Sequence, residues 1–375
     1  VKIRAAVLRQ SPVIPPFAIS RPLSIEELDL DPPGREEVLV RIGAAGLCHS
    51  DLSVINGDRP RPMPMVLGHE ASGVVEAVGP GVHDLVPGDH VVMSFVPICG
   101  HCLACAEGRP ALCVPGAEAN GRGVLLSGER RLICDEVPVN HHLGVSGFAT
   151  HAVISRHSAI KIDRDLPLAE AALFGCAVLT GVGAVVNTCK IQAGQSVAVV
   201  GLGGVGLAAV LGALASGAER VIAVDLAAEK LEVALKLGAT DVFLAGDVDV
   251  IEKIREATGG GVDHALEMAG STRAFDLAYR ITRRGGTTAT AGLANPVSQF
   301  AIPAVSLVAE ERRVLGSYLG GCVPARDIPR FIALYRRGKL PVDRLLSSTG
   351  PLEKINEAFD LLHEGKVIRH VITFD

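Results

Sequence analysis

Four cysteines, Cys99, Cys102, Cys105 and Cys113, crowd one short stretch, separated by two, two and seven residues. Two-residue gaps let a tight turn aim successive thiolates at one point, and zinc takes four such donors in a tetrahedron. The pattern therefore reads as a structural zinc site. Disulfides are the competing reading, but a chain of 375 residues is no disulfide-stapled mini-domain. A second pattern, Gly201-Leu-Gly203-Gly204-Val205-Gly206, follows the β-branched run Ser196–Val200 and opens an apolar helical stretch, Gly206–Ser216. In that context its glycines allow a tight turn, a close approach of backbone to pyrophosphate and tight helix–strand packing. Asp225 ends the next strand, 19 residues after Gly206. A carboxylate there accepts from ribose hydroxyls and repels a 2′-phosphate, which favours NAD over NADP. Lys230 can reach the ribose too, or can be plain surface charge.

Three further ligand types stand far apart: Cys48, His69 and Cys176. Two cysteines and one histidine form a known catalytic zinc set, with the fourth position left for water or substrate. Singly, each reads equally well as a small buried hydrophobe or a structural histidine. Spacing leaves the choice open.

The elements that must position these groups divide the chain. Hydrophobic residues make up 48% and charged residues 21%, and the net charge is −5. That composition supports buried cores, and with no aromatic-interleaved basic patch it argues against a nucleic-acid partner. Up to about Ala177 short β-like runs (Val38–Ile42, Ser72–Val78, His90–Met93) alternate with proline-rich breaks. From Ser196 strand and helix alternate. Strands are expected at Ser196–Val200, Arg220–Asp225, Val242–Leu244, Val262–Met268, Thr287–Ala291 and Val314–Leu319. This is the signature of a doubly wound parallel sheet. The uncharged run Ser196–Ala218 has the length of a membrane span, but its glycines and β-branched start read as strand, turn and buried helix. With no apolar signal core near Val1, a cytoplasmic location is expected.

The chain resembles the zinc-dependent medium-chain alcohol dehydrogenases along nearly its whole length. The likeness rests on Gly46–Asp51, Gly68-His69-Glu70, Gly73–Gly79, Pro87–Val91, the four-cysteine lobe, Gly175-Cys176, Thr180-Gly181, Gly201–Gly206, Ile355–Phe359 and Gly365–Arg369. The stretch from Cys113 to Phe148 is similar to the insertion of the longer, dimer-type members near classes I and III. The resemblance implies an α/β fold: a Rossmann domain at 178–320 and a discontinuous, mainly β (GroES-like) catalytic domain at 1–177 and 321–375. It implies two zinc ions and NAD. Cys48, His69 and Cys176 would hold the catalytic zinc, and Cys99, Cys102, Cys105 and Cys113 the structural one. Glu70 would sit behind the metal, and Asp51 would orient His69. Ser50 would relay the alcohol proton. His49 and Arg369 would contact the pyrophosphate, with Thr180 and Val205 near the nicotinamide. Phe95, His142, Leu143, Leu293 and Tyr318 would line the substrate pocket, or else pack as ordinary core. The reaction implied is reversible hydride transfer between a primary or secondary alcohol and NAD, in a homodimer.

Three departures from the family pattern stand out. Ser53 occupies a position where some members have a relay histidine. Ala117 replaces the arginine that binds the glutathione carboxylate in class III. His142 stands where many members have an aromatic or apolar residue. Glutathione-linked formaldehyde oxidation therefore ranks second. A nicotinoprotein with retained NAD, a metal-free quinone reductase and a non-catalytic nucleotide binder are the remaining readings of the same scaffold.

Overall fold

The computed structural model describes residues 1–374. The chain forms two compact units: Val1–Cys176 with Val323–Ile332 and Leu346–Asp375, and Ala177–Cys322 with Ala333–Leu345.

The first unit is mainly β. Strands Lys2–Leu8, Leu23–Leu30, Leu132–Cys134, Val137–His141 and Met65–Val66 close a small barrel. Two of these strands, and the helix Val114–Arg122, come from the Cys113–Phe148 stretch. Beside the barrel lies a 7-stranded sheet organised on Glu37–Gly46, which pairs antiparallel with Glu70–Val78, His151–Ser155 and His370–Thr373. Alternating apolar side chains of these strands meet Phe17, Phe148 and Phe359 in one buried core, each such side chain contributing about 1.5–3 kcal/mol when fully buried.

Register delivers the chemistry. Gly46 pairs with Glu70 and with Val371. Residues just beyond these partners, Cys48, His69 and Arg369, therefore emerge at the same end of the sheet. The Leu173–Gly175 turn presses against the strand His90–Met93, where a Cβ on Gly175 would collide with the Met93 carbonyl. That glycine permits the approach that carries Cys176 in.

The second unit is a six-stranded parallel sheet. Its spatial order is Asp241–Leu244, Arg220–Asp225, Ser196–Val200, Val262–Glu267, Thr282–Thr290, Arg313–Gly316. Numbered within the unit, this is 3-2-1-4-5-6, the Rossmann order. The uncharged run resolves into the strand Ser196–Val200 and the helix Gly204–Ala215, whose side chains are buried over most of its surface. Among the described residues no single helix is long and apolar enough to cross a membrane. Two boundaries in this unit differ from the sequence reading by more than two residues. The strand expected at Thr287–Ala291 starts at Thr282, and the last strand stops at Gly316, short of Leu319. Gly320, at φ +63, then turns the chain into a tight helical turn, Leu319–Gly321.

Candidate active site

Cys48, His69 and Cys176 converge. Their ligating atoms all lie within 4.8 Å of one another, and all three residues are buried. Cys176 Sγ is 3.5 Å from His69 Nε2. A sulfur at about 2.3 Å and a nitrogen at about 2.05 Å from one tetrahedral centre lie roughly 3.6 Å apart, so the donor set fits zinc. His69 Nδ1 faces Asp51 Oδ1 at 3.1 Å. A proton on Nδ1 leaves the Nε2 lone pair turned toward the two sulfurs. The Cys176 thiol hydrogen-bonds Cys48, holding Cys48 well below the usual thiol range and Cys176 well above it. Arg369 adds to the lowering of Cys48.

Charges back this set on its far side. Arg369 is buried; its Nη1 donates to the Leu47 carbonyl at 2.9 Å and lies 3.4 Å from Glu70 Oε2. The structure thus seats the Arg369 guanidinium against Glu70, behind the thiolates. Asp51 is fully buried, and despite burial His69 and His142 hold its carboxyl down to about 2. Phe95 stands edge-on to His69 on one side, ring centroids 5.3 Å apart, and His142 on another, at 5.6 Å. The Nδ1 edge of His142 faces Asp51 Oδ1 at 3.1 Å. That contact was not legible in the sequence, where His142 reads only as a polar pocket wall. Leu143 is buried beside it in a left-handed backbone conformation, φ +52. Ser50 Oγ lies 3.8 Å from Cys48 Sγ, at the start of the helix His49–Ile55. Ser53, on that helix, donates to the His49 carbonyl at 2.8 Å.

The four-cysteine lobe gathers its sulfurs within 4.8 Å of one another, with all four thiols unbridged. Cys102 Sγ and Cys113 Sγ are 4.0 Å apart, close to the roughly 3.8 Å separating two thiolates on one tetrahedral zinc. Backbone N–H groups of Cys99 and Cys102 donate to Cys113 and Cys99 sulfurs, each at 3.3 Å. Backbone donors from the Cys105 side and from Val114 draw Cys102 down to about 6, while burial pushes Cys105 up to about 12. This donor set also fits zinc.

In the second unit Gly201 takes φ +97, and a Cβ on Gly206 would strike the Gly201 carbonyl. Both glycines serve the tight turn, while Gly203 faces open space. The helix Gly204–Ala215 has no side-chain cap at Gly203, which leaves its first N–H groups for an anion. Asp225 accepts from Leu202 N–H at 2.6 Å and Ala227 N–H at 3.0 Å, so its carboxylate is held at the loop. This arrangement fits a dinucleotide. Lys230 is half-buried on the following helix. Thr180 is buried on the helix Ala177–Gly183, and a Cβ on its neighbour Gly181 would strike the Val205 carbonyl, so the two segments pack closely. Leu293 and Tyr318, expected in the pocket, belong to this unit and are 51% and 40% exposed.

Comparison with known proteins agrees with this geometry. The family described as "Alcohol dehydrogenase GroES-like domain" matches residues 34–164, and that described as "Zinc-binding dehydrogenase" matches residues 204–337. The chain is 41% identical to "Putative alcohol dehydrogenase D" of Mycobacterium tuberculosis, over 99% of this chain and 100% of that protein. It is 38% identical to "Probable S-(hydroxymethyl)glutathione dehydrogenase 1" of Schizosaccharomyces pombe, over 95% of each. Among solved structures, benzyl alcohol dehydrogenase from Acinetobacter calcoaceticus superposes with a TM-score of 0.93 at 34% identity, covering 100% of both chains. The chain belongs to the zinc-type, medium-chain alcohol dehydrogenase family, with a GroES-like and a Rossmann fold. It is an enzyme of the NAD-dependent zinc alcohol dehydrogenase type.

Proposed function

We propose that this protein transfers hydride reversibly between a primary or secondary alcohol, aromatic alcohols included, and NAD, giving the aldehyde or ketone. The observation that carries the reading is the buried convergence of Cys48, His69 and Cys176 from three distant segments. These residues hold a catalytic zinc, and Cys99, Cys102, Cys105 and Cys113 a structural one. The catalytic domain expected at 1–177 and 321–375 corresponds to the first unit except for Ala333–Leu345, which packs with the second, and the NAD domain expected at 178–320 corresponds to the second. Bound zinc supplies Lewis acidity that eases loss of the alcohol proton, and bound NAD supplies the hydride acceptor.

The chain's own residues do the rest. Asp51 fixes the His69 tautomer. Glu70 and Arg369 balance charge behind the thiolates. Ser50, close to the Cys48 sulfur, takes the alcohol proton. With Ser53 engaged by the His49 carbonyl, the proton leaves through water. Phe95, His142 and Leu143 exclude solvent from the metal side. Gly201, Gly203, Gly204, Val205, Gly206 and Asp225 seat the cofactor. Lys230 and Thr180 contribute further contacts to it.

The benzyl alcohol dehydrogenase neighbour supports aromatic substrates. The Schizosaccharomyces pombe relative supports S-(hydroxymethyl)glutathione as a second reading, but Ala117 offers that substrate's carboxylate no cation. A kinetic panel of aliphatic and aromatic alcohols, aldehydes and S-(hydroxymethyl)glutathione, each with NAD and NADP, separates them. Preference for aromatic alcohols with NAD supports the first reading. Preference for the glutathione adduct transfers the assignment to the second, and no turnover of any substrate overturns both. NAD that survives gel filtration of active enzyme would make it a nicotinoprotein. We further propose a cytoplasmic homodimer. The exposed apolar side chains Val297, Val305 and Val308 support the dimer, and mass measurement in solution tests it.

A further inference from the structure

We infer that His142 is a positioning residue for the metal centre: it shares the Asp51 carboxylate with His69 and thereby governs how firmly Cys48, His69 and Cys176 retain their ion. The inference rests on the zinc reading above.

Asp51 is fully buried, and three nitrogens crowd one of its oxygens, two of them in aligned hydrogen bonds. Oδ1 lies 3.0 Å from Gly68 N, 3.1 Å from His69 Nδ1 and 3.1 Å from His142 Nδ1. Oδ2 is buried with no donor among the described residues, and His142 Nδ1 is a buried nitrogen without a well-aligned acceptor. An under-satisfied buried acceptor and an under-satisfied buried donor are thus neighbours. A buried carboxylate is held in place by the N–H groups around it, and one that loses a neighbour can turn and orient its imidazole less firmly. His142 is itself pinned. Its N–H donates to Ser146 Oγ at 3.0 Å, and its carbonyl accepts from Val145 N at 3.1 Å and Ser146 N at 3.2 Å. The His142 ring also stands edge-on to His69, at 85° between planes. The residue therefore reaches the ligand twice, through the carboxylate and through ring contact. A phenyl ring at this position would keep the second link and lose the first.

The test compares H142F with H142N in the zinc-loaded enzyme, because an asparagine amide can present N–H near the place of Nδ1. Zinc content per chain is measured first. Wild-type enzyme with zinc only in the four-cysteine lobe overturns the function reading, and this inference with it. With both ions present, transfer of the catalytic zinc to a chelating dye should be roughly 10- to 100-fold faster in H142F. H142N should stay within about twofold of wild type. Cobalt-substituted H142F should show a shifted visible absorption band, and H142N should not. Unchanged release from H142F overturns the inference, and so does H142N failing as badly as H142F, which would indicate packing alone. Introduced into D51N, H142F should change release by less than about twofold, and additive effects also overturn it. If H142F does not fold, H142M, apolar and adaptable, replaces it in the same comparison.

Discussion

The two cysteine clusters solve one coordination problem in opposite ways. The lobe at Cys99–Cys113 draws four sulfurs from a single loop, three of them half-exposed, and stabilises them with its own backbone N–H groups. The site at Cys48, His69 and Cys176 draws three atoms from segments that strand register brings together, buries them completely and backs them with Asp51, Glu70 and Arg369. The first needs little of the fold, and the second needs nearly all of it. A local site suits a structural role, since its ligands can close on an ion without help. A dispersed, buried site can keep an open corner, because packing rather than the ion holds the ligands apart.

That contrast is open to direct attack. The largest effect should come from Cys176→Ser. Loss of Lewis-acid stabilisation worth several kcal/mol predicts turnover falling by at least about 10³-fold. One zinc should be lost and NAD binding, followed by nicotinamide fluorescence, should persist. Retained activity would remove the catalytic assignment. Cys102→Ser should act in the opposite sense. Melting, or resistance of the lobe to limited proteolysis, should fall clearly, because the ion's binding energy contributes to folding. Turnover per folded molecule should change far less than in Cys176→Ser. An unchanged melt would end the structural-zinc reading.

A third test probes the buried histidines of the same unit. Burial drives His141 down to about 3, with Arg130 and Arg131 reinforcing the shift, and its Nε2 accepts from Arg131 N–H at 3.1 Å. The folded pKa lies below the unfolded one, so the unfolded state binds the proton more readily. This stability is complete above about pH 6.5 and is lost progressively as pH falls toward the folded value, by about 2 kcal/mol at pH 5. Denaturant titrations at pH 7 and pH 5 should show that slope, and His141→Gln, which keeps an acceptor, should flatten it. The smallest effect is expected at Asp225. Asp225→Asn keeps an acceptor for Leu202 and Ala227 but removes the charge, so discrimination against NADP should relax about tenfold, or about 1.4 kcal/mol. An unchanged ratio of kcat/KM for the two cofactors would mean that another group reads the ribose.

The four-cysteine lobe was legible in the sequence because a loop of that spacing meets itself wherever the fold carries it. The same holds for Gly201–Gly206 with Asp225: strand, turn and helix are contiguous, and hydrophobic periodicity announces each. Their bounds slipped where local propensity was weak, as at Thr282–Thr290 and Gly316. The three-ligand set was reached only through family likeness. Nothing in the separate surroundings of Cys48, His69 and Cys176 says that Gly46 pairs with Glu70 or that Gly175 presses on Met93.

The amino-acid order alone thus determined the alternating α/β pattern, the glycine turn of the dinucleotide motif and a loop of four cysteines spaced for one metal, all features whose parts are neighbours along the chain. Only the tertiary structure decided that Arg369 lies against Glu70, that Phe95 and His142 flank His69, and that Asp51 faces two imidazoles at once. Such contacts join residues up to about 300 positions apart, and they exist only once strand pairing and core packing have removed water from between them.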